Sequence, residues 1–251
     1  MIDEKLQQAL THKLLAMADD ELILAHRNSE WIGHAPILEE DIAIANIAQD
    51  ELGHASVWYG LVETLTGQDP DEVVFFRDAA AYRNTQFVEL PKGDWAFTMM
   101  RQFLFDAYEL VLLRALQNSQ YEPLADAVHK IKNEELYHFR HTSTWVKRLG
   151  LGTEESQRRL QNALTELWPY VYQLFRPSAD EQLLVEAQIV PHADDVCLAW
   201  EELVKPLLQE ANLDVPAEPY INIQRHEHTP HLTHLLTDLQ KVARFDPEAE
   251  W

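Results

Sequence analysis

The chain has one cysteine, Cys197, and only seven glycines in 251 residues. A lone cysteine excludes an internal disulfide and any cluster of thiolate metal ligands, and it is the usage expected of a reducing, cytoplasmic setting. So few glycines leave little room for the many tight turns of a β-sandwich or barrel and point to long uninterrupted helices. No apolar run is long enough for a membrane span. The opening "MIDEKLQQALTHKLL" is acidic and periodic from the start, unlike a secretory leader. Basic residues are scarce as well: 20 Lys and Arg stand against 42 Asp and Glu, a formal charge of −22. That balance disfavours nucleic acid and anionic membranes as partners.

What the sequence does have is helical periodicity. Apolar residues recur at steps of three and four from Lys5 to Trp31, Leu38 to Thr66, Trp95 to Asn118 and Leu124 to Leu149. Asp94 is placed to cap the third of these, and "GLG" to stop the fourth. A fifth helix is expected over Glu154 to Phe175, a sixth over Asp195 to Ala211 and a seventh over His231 to Val242. Ser178-x-x-Glu181 has the spacing of a capping box, and "VPAEPYINI" reads as irregular. No strand alternation is sustained, so the fold is all-α.

The gap between the second and third helices allows the chain to cross over along a bundle. This predicts a ferritin-like four-helix bundle with one long crossover and additional C-terminal helices. A single ferritin-like domain over 1–251 is expected, with the core bundle at about 5–149 and a helical extension at about 153–251.

Two Glu-x-x-His pairs, Glu51/His54 and Glu135/His138, fall on the second and fourth helices. Taken alone, either pair reads more readily as a solvated surface pair. Position argues otherwise. The second stripe runs Ile44, Ile47, Ala48, Glu51, His54, Ala55, Trp58, and the fourth runs Leu124, Val128, Ile131, Glu135, His138, Thr142, Trp145. Both pairs lie on the face that should be buried. The first helix offers Glu21 on its stripe, and the third offers Asp106 and Glu109. Burying an unpaired carboxylate costs several kcal/mol, and no basic residue shares these stripes. Two divalent cations would balance four carboxylates and two neutral histidines. One Glu from each of two helices and one Glu-x-x-His from each of the other two is the di-iron or di-manganese carboxylate pattern. Oxygen and imidazole donors without thiolate suit iron or manganese. The metal set is therefore Glu21, Glu51, His54, Glu109, Glu135 and His138. Asp50 and Glu134, preceding the motif glutamates, are placed to support the histidines, and Asp106 either bonds a histidine or ligates in place of Glu109.

Other polar groups have plainer readings. His226, His228, His231 and His234 in "RHEHTPHLTH" fit a capped helix start, and Trp31, Trp58, Trp95 and Trp145 fit core and bundle-end packing. Lys130, Lys132 and Arg140 are equally a solvated helix face or phosphate contacts.

The segment "SEWIGHAPILEEDIAIANIAQDELGHA" (residues 29–55) resembles the C-subunit family of bacterial phenylacetyl-CoA monooxygenases, the ring-1,2-epoxidases of aerobic phenylacetate breakdown. "RQFLFDAYELVLL", "LYHFRHTSTWVKRLG", "LTELWPYVYQLF" and the ending "HTPHLTHLLTDLQKVARFDPEAEW" are similar to that family too. The resemblance implies a subunit of a multicomponent oxygenase that epoxidises the ring of an aromatic acyl-CoA. Its expected partners are a homologous catalytic subunit holding two iron ions, other oxygenase components and a reductase. It also implies a supporting role, that of a C-type chain in which several ligand positions are lost, whereas all six are present here. Three readings stay open: an oxygenase subunit with a complete metal site, a non-catalytic partner of the catalytic subunit, and a stand-alone di-metal oxidase or iron-handling protein.

Overall fold

The computed structural model describes residues 2–217 and 220–247. Glu218 and Pro219, inside the stretch expected to be irregular, and the last residues of the expected 1–251 domain lie outside the described residues. Everything regular among the described residues is helical. Four long helices form the core: α1 (Glu4–Ser29) and α2 (Leu38–Thr66), then, after two short helices α3 (Pro70–Phe75) and α4 (Gln86–Glu89), α5 (Trp95–Leu116) and α6 (Glu122–Gly150). Short loops make hairpins of α1 with α2 and of α5 with α6, and α2 packs against α6 to join the hairpins. This is the ferritin-like bundle, with residues 67–94 as the crossover.

The helix ends follow local chemistry. Asp3 accepts the Leu6 N–H at 2.8 Å to start α1, and Asp94 accepts the Phe97 N–H at 2.9 Å to start α5, as expected. Gly67 ends α2 in the left-handed region at φ 73°, where only glycine avoids a steric penalty. The segment "GQDPDEVVFF" breaks the second helix at Gly67. It also builds α3, because Asp69 caps the helix and Pro70 supplies its first residue.

The C-terminal part contributes α7 (Glu154–Val171), α8 (Glu181–Glu186), α9 (Ala193–Glu210), α10 (Pro230–Leu239) and α11 (Lys241–Phe245). The expected fifth helix ends its α-helical part at Val171 and finishes as a 3-10 turn, Tyr172–Phe175, just after Pro169, whose ring disrupts the α-helical pattern. The Ser178/Glu181 capping box forms only in half: Glu181 accepts from the Ser178 N–H at 2.7 Å, but α8 starts after Asp180 in the left-handed conformation. The expected seventh helix divides into α10 and α11, with Gln240 between them.

α7 and α9 both pack on α5. This explains why α5 is buried around its whole circumference from Ala96 to Leu110, its polar residues included. Trp200 on α9 is fully buried and donates from Nε1 to the Leu104 carbonyl at 3.0 Å. At one end of the bundle Trp95 sits edge-on between Trp31 and Trp145, with ring centroids 5.1 and 5.8 Å away. The tryptophans pack, as their positions on the stripes predicted.

Candidate metal centre

α1 carries three consecutive acids, Asp19, Asp20 and Glu21, and all three are buried. The first two have cationic partners. Asp19 accepts from Arg77 at 2.5 and 3.1 Å, from the Tyr59 hydroxyl at 2.5 Å and from the Arg83 N–H at 2.7 Å. Asp20 accepts from Arg225 and from the Thr85 N–H, both at 2.7 Å. These bonds fasten the crossover and the C-terminal segment to α1. Glu21 has nothing comparable: both of its carboxylate oxygens are buried without a hydrogen-bond partner.

Around Glu21 the structure brings together the residues selected from the sequence. Glu21, Glu51 and His54 form one compact group, and Glu51, Glu135 and His138 a second, each with ligand atoms within 4.8 Å of one another. All five are buried. Glu51 belongs to both groups. Each histidine turns Nδ1 inward: His54 Nδ1 lies 3.7 Å from Glu21 and 3.4 Å from Glu135, and His138 Nδ1 lies 3.0 Å from Glu135 and 3.9 Å from Glu51. Glu109 is buried with Oε2 unpartnered, yet it stands outside the two compact groups. Glu51 Oε2, Glu135 Oε2 and His54 Nδ1 are also without a hydrogen bond.

The outer faces of the histidines are held crosswise. Glu134 on α6 lies 2.9 Å from His54 Nε2 on α2, and Asp50 on α2 lies 3.1 Å from His138 Nε2 on α6. A neutral imidazole that gives its Nε2–H to the outer carboxylate would present the Nδ1 lone pair to the centre, the tautomer a metal requires. Asp106 does not take its expected place beside a histidine. Its oxygens accept from Gln102 at 2.7 Å and Thr142 at 2.6 Å, so it bonds no histidine.

Gln102 was not singled out from the sequence. It bridges Glu51 at 2.6 Å and Asp106, and accepts from Asn28 at 2.7 Å. It precedes Asp106 by one helical turn, and that polar i, i+4 spacing on a buried helix was the available signal. Thr142 stood on the fourth stripe without an assigned task. Burial, reinforced by neighbouring carboxylates, pushes the carboxyls of Glu21, Glu51, Asp106 and Glu109 well above their ordinary range. Burial opposes charge on His138, but Glu135, Asp50 and Glu51 outweigh it and lift its pKa.

Unpartnered buried oxygens and an inward Nδ1 fit a cation better than they fit one another. Like charges packed this closely in a low dielectric repel strongly, and among the described residues Glu21, Glu51 and Glu135 have ion-pair contacts with His54 and His138 but with no Lys or Arg. The residues suit a divalent metal with oxygen and nitrogen preferences. The plainer expectation for "RHEHTPHLTH" is met: His228 bonds Glu89 at 2.6 Å, and Thr229 caps α10. Lys130 and Arg140 are exposed.

A ferritin-like bundle with a buried carboxylate–histidine cluster defines the class. The phenylacetic acid catabolic protein family matches residues 1–251, and the chain belongs to that family. It is 36% identical over 245 residues to the C subunit of the 1,2-phenylacetyl-CoA epoxidase of Escherichia coli (strain K12), covering 96% of this chain and 99% of that protein. It is also 28% identical over 174 residues to the A subunit of the Escherichia coli epoxidase, covering 69% of this chain and 56% of that protein. Among the described residues no helix is long and apolar enough to cross a membrane.

Proposed function

We propose that this chain is a subunit of a phenylacetyl-CoA oxygenase in phenylacetate catabolism, and that its own bundle holds two iron ions. The observation that carries the metal reading is the pair of buried groups sharing Glu51, with carboxylate oxygens that have no other partner. Glu21 and His54 would serve one ion, Glu135 and His138 the other, with Glu51 between them and Glu109 completing the set; manganese fits the same donors. Iron held by these residues would supply the redox chemistry of dioxygen activation, and a separate reductase would be its electron source.

The chain's own contribution is geometric and electrostatic. Asp50 and Glu134 hold the imidazoles in one tautomer. Gln102 fixes the angle of Glu51 by donating to it. Buried apolar neighbours such as Phe103 and Ile131 keep water from the carboxylates. Asp106 is held by Gln102 and Thr142 as a buried acid one turn from Glu109. The bundle and the C-terminal extension act as one domain, partnered with a homologous catalytic subunit, other oxygenase components and an aromatic acyl-CoA.

Likeness to the Escherichia coli C subunit over nearly its whole length favours a second reading, a supporting role without activity of its own. Metal analysis of the purified chain beside a Glu51→Ala/His54→Ala variant tests the first. About two metals per chain are expected, lost in the variant; equal metal in both removes the site. A stand-alone oxidase would oxidise iron without any partner, and copurification with a homologous catalytic chain counts against it.

A further inference from the structure

A cleft of about 430 Å³ opens where four separated segments meet. His12 comes from α1, Arg83 from the crossover, Ser178 from the turn before α8, and Gln224, Arg225 and His226 from the irregular segment before α10. No Asp or Glu lines it, although acids outnumber bases two to one in this chain.

The donors in its wall are incompletely used. The Arg83 side chain bonds only the carbonyls of Ala80 and Tyr82 and has no ion pair among the described residues. Arg225 gives Nη1 to Asp20 and the Arg83 carbonyl and Nη2 to the Leu174 carbonyl, leaving Nε unbonded. His12 Nδ1 is buried without a partner. Acids bonded to the lining residues are already engaged: Asp20 by Arg225 and Thr85, Glu181 by Ser178 and Lys13, and Glu227 by the Gln224 N–H. The cleft is therefore a locally cationic site in a strongly anionic protein.

We propose that this cleft binds a phosphate-type oxyanion, either free or as the phosphoryl group of a small molecule. Arg83, Arg225, His12 and His226 bring cationic or donor-bearing side chains to the cleft from three separate segments of the chain. A guanidinium without a carboxylate is the group best matched to phosphate oxygens. The volume exceeds what one inorganic ion needs and lies in the range of small-molecule sites.

Calorimetric titration of the purified full-length chain with inorganic phosphate and with phenyl phosphate, at constant ionic strength and with chloride as the reference anion, tests this. Saturable binding of at least one is expected, and the tighter of the two tells whether the free ion or an ester is preferred. Arg83→Gln removes a charge-assisted contact and should weaken binding about tenfold. His226→Gln, at an exposed position without a hydrogen bond among the described residues, should weaken it by a smaller factor and serves if Arg83→Gln does not fold. Glu51→Ala/His54→Ala should bind normally, which separates this cleft from phosphate captured at the metal centre. Absence of binding by both probes overturns the proposal, as does unchanged affinity in Arg83→Gln and His226→Gln, or loss of binding in the metal-centre variant.

Discussion

Asp50 on α2 lies 3.1 Å from Nε2 of His138 on α6, so the residue preceding one Glu-x-x-His motif orients the histidine of the other. Glu134 does the same for His54 at 2.9 Å. The two half-sites therefore hold each other in position across the bundle.

This crossing makes the two outer carboxylates testable independently of the ligands. Asp50→Ala and Glu134→Ala should each leave the fold intact and weaken metal binding about 10- to 100-fold, the usual effect of losing a histidine's outer partner. Asp50→Ala should act on the metal held by His138, and Glu134→Ala on the metal held by His54. Competition with a calibrated chelator measures this, and unchanged affinity in both variants would refute the assigned role.

Stability of the metal-free chain should depend on pH in a particular direction. Glu21, Glu51, Asp106 and Glu109 have folded-state pKa values raised above ordinary values of 4.5 for Glu and 3.8 for Asp. A raised pKa means that the folded state binds the proton more tightly. Its contribution is fully present below the ordinary value and is lost as pH rises through the folded one. Metal binding displaces those protons, so loaded protein should not suffer the same loss. Urea unfolding of stripped and reloaded protein at pH 5 and pH 8 should show a gap that widens at pH 8. A gap independent of pH would remove the linkage.

Cys197 is half-buried on α9, and burial, with Glu201 and Asp194 nearby, pushes its thiol up to about 11. Since the thiolate is the reactive form, alkylation by iodoacetamide should be slow at pH 8 and rise about tenfold per pH unit through pH 10. A rate that levels off near pH 9, as for a free thiol, contradicts this environment.

Gly150 ends α6 where that helix meets the end of α9. A Cβ there would fall 2.1 Å from the Ala211 carbonyl oxygen, a backbone atom unable to swing aside. Gly150→Ala should destabilise by about 1–3 kcal/mol, the range for overpacking. Gly60→Ala, inside α2 with nothing within 4 Å of the added atom, should stabilise by up to about 1 kcal/mol through helix propensity. Thermal melts of the two variants should move in opposite directions.

The sequence by itself determined the helices and the faces they bury, because a 3.6-residue period is a local property that tertiary packing only confirms. It also placed Glu51, His54, Glu135 and His138 on buried stripes, and their separation of three fixed each pair on one side of a helix. It marked Asp50 and Glu134 as supports for the histidines. The short helices α3 and α4 escaped notice because they are too brief to show a period.

Tertiary structure alone decided which polar group meets which. Asp19, Asp20 and Glu21 are consecutive acids of similar character, and only the arrival of Arg77 from the crossover and Arg225 from the C-terminal segment leaves Glu21 as the unpartnered one. Asp106, a candidate partner for a histidine, instead accepts from Gln102 and Thr142. The crossed pairing of Asp50 and Glu134 depends on the axial register of α2 against α6. That register comes from interdigitation of whole helix faces, to which each side chain adds a little, and no spacing within either helix encodes it.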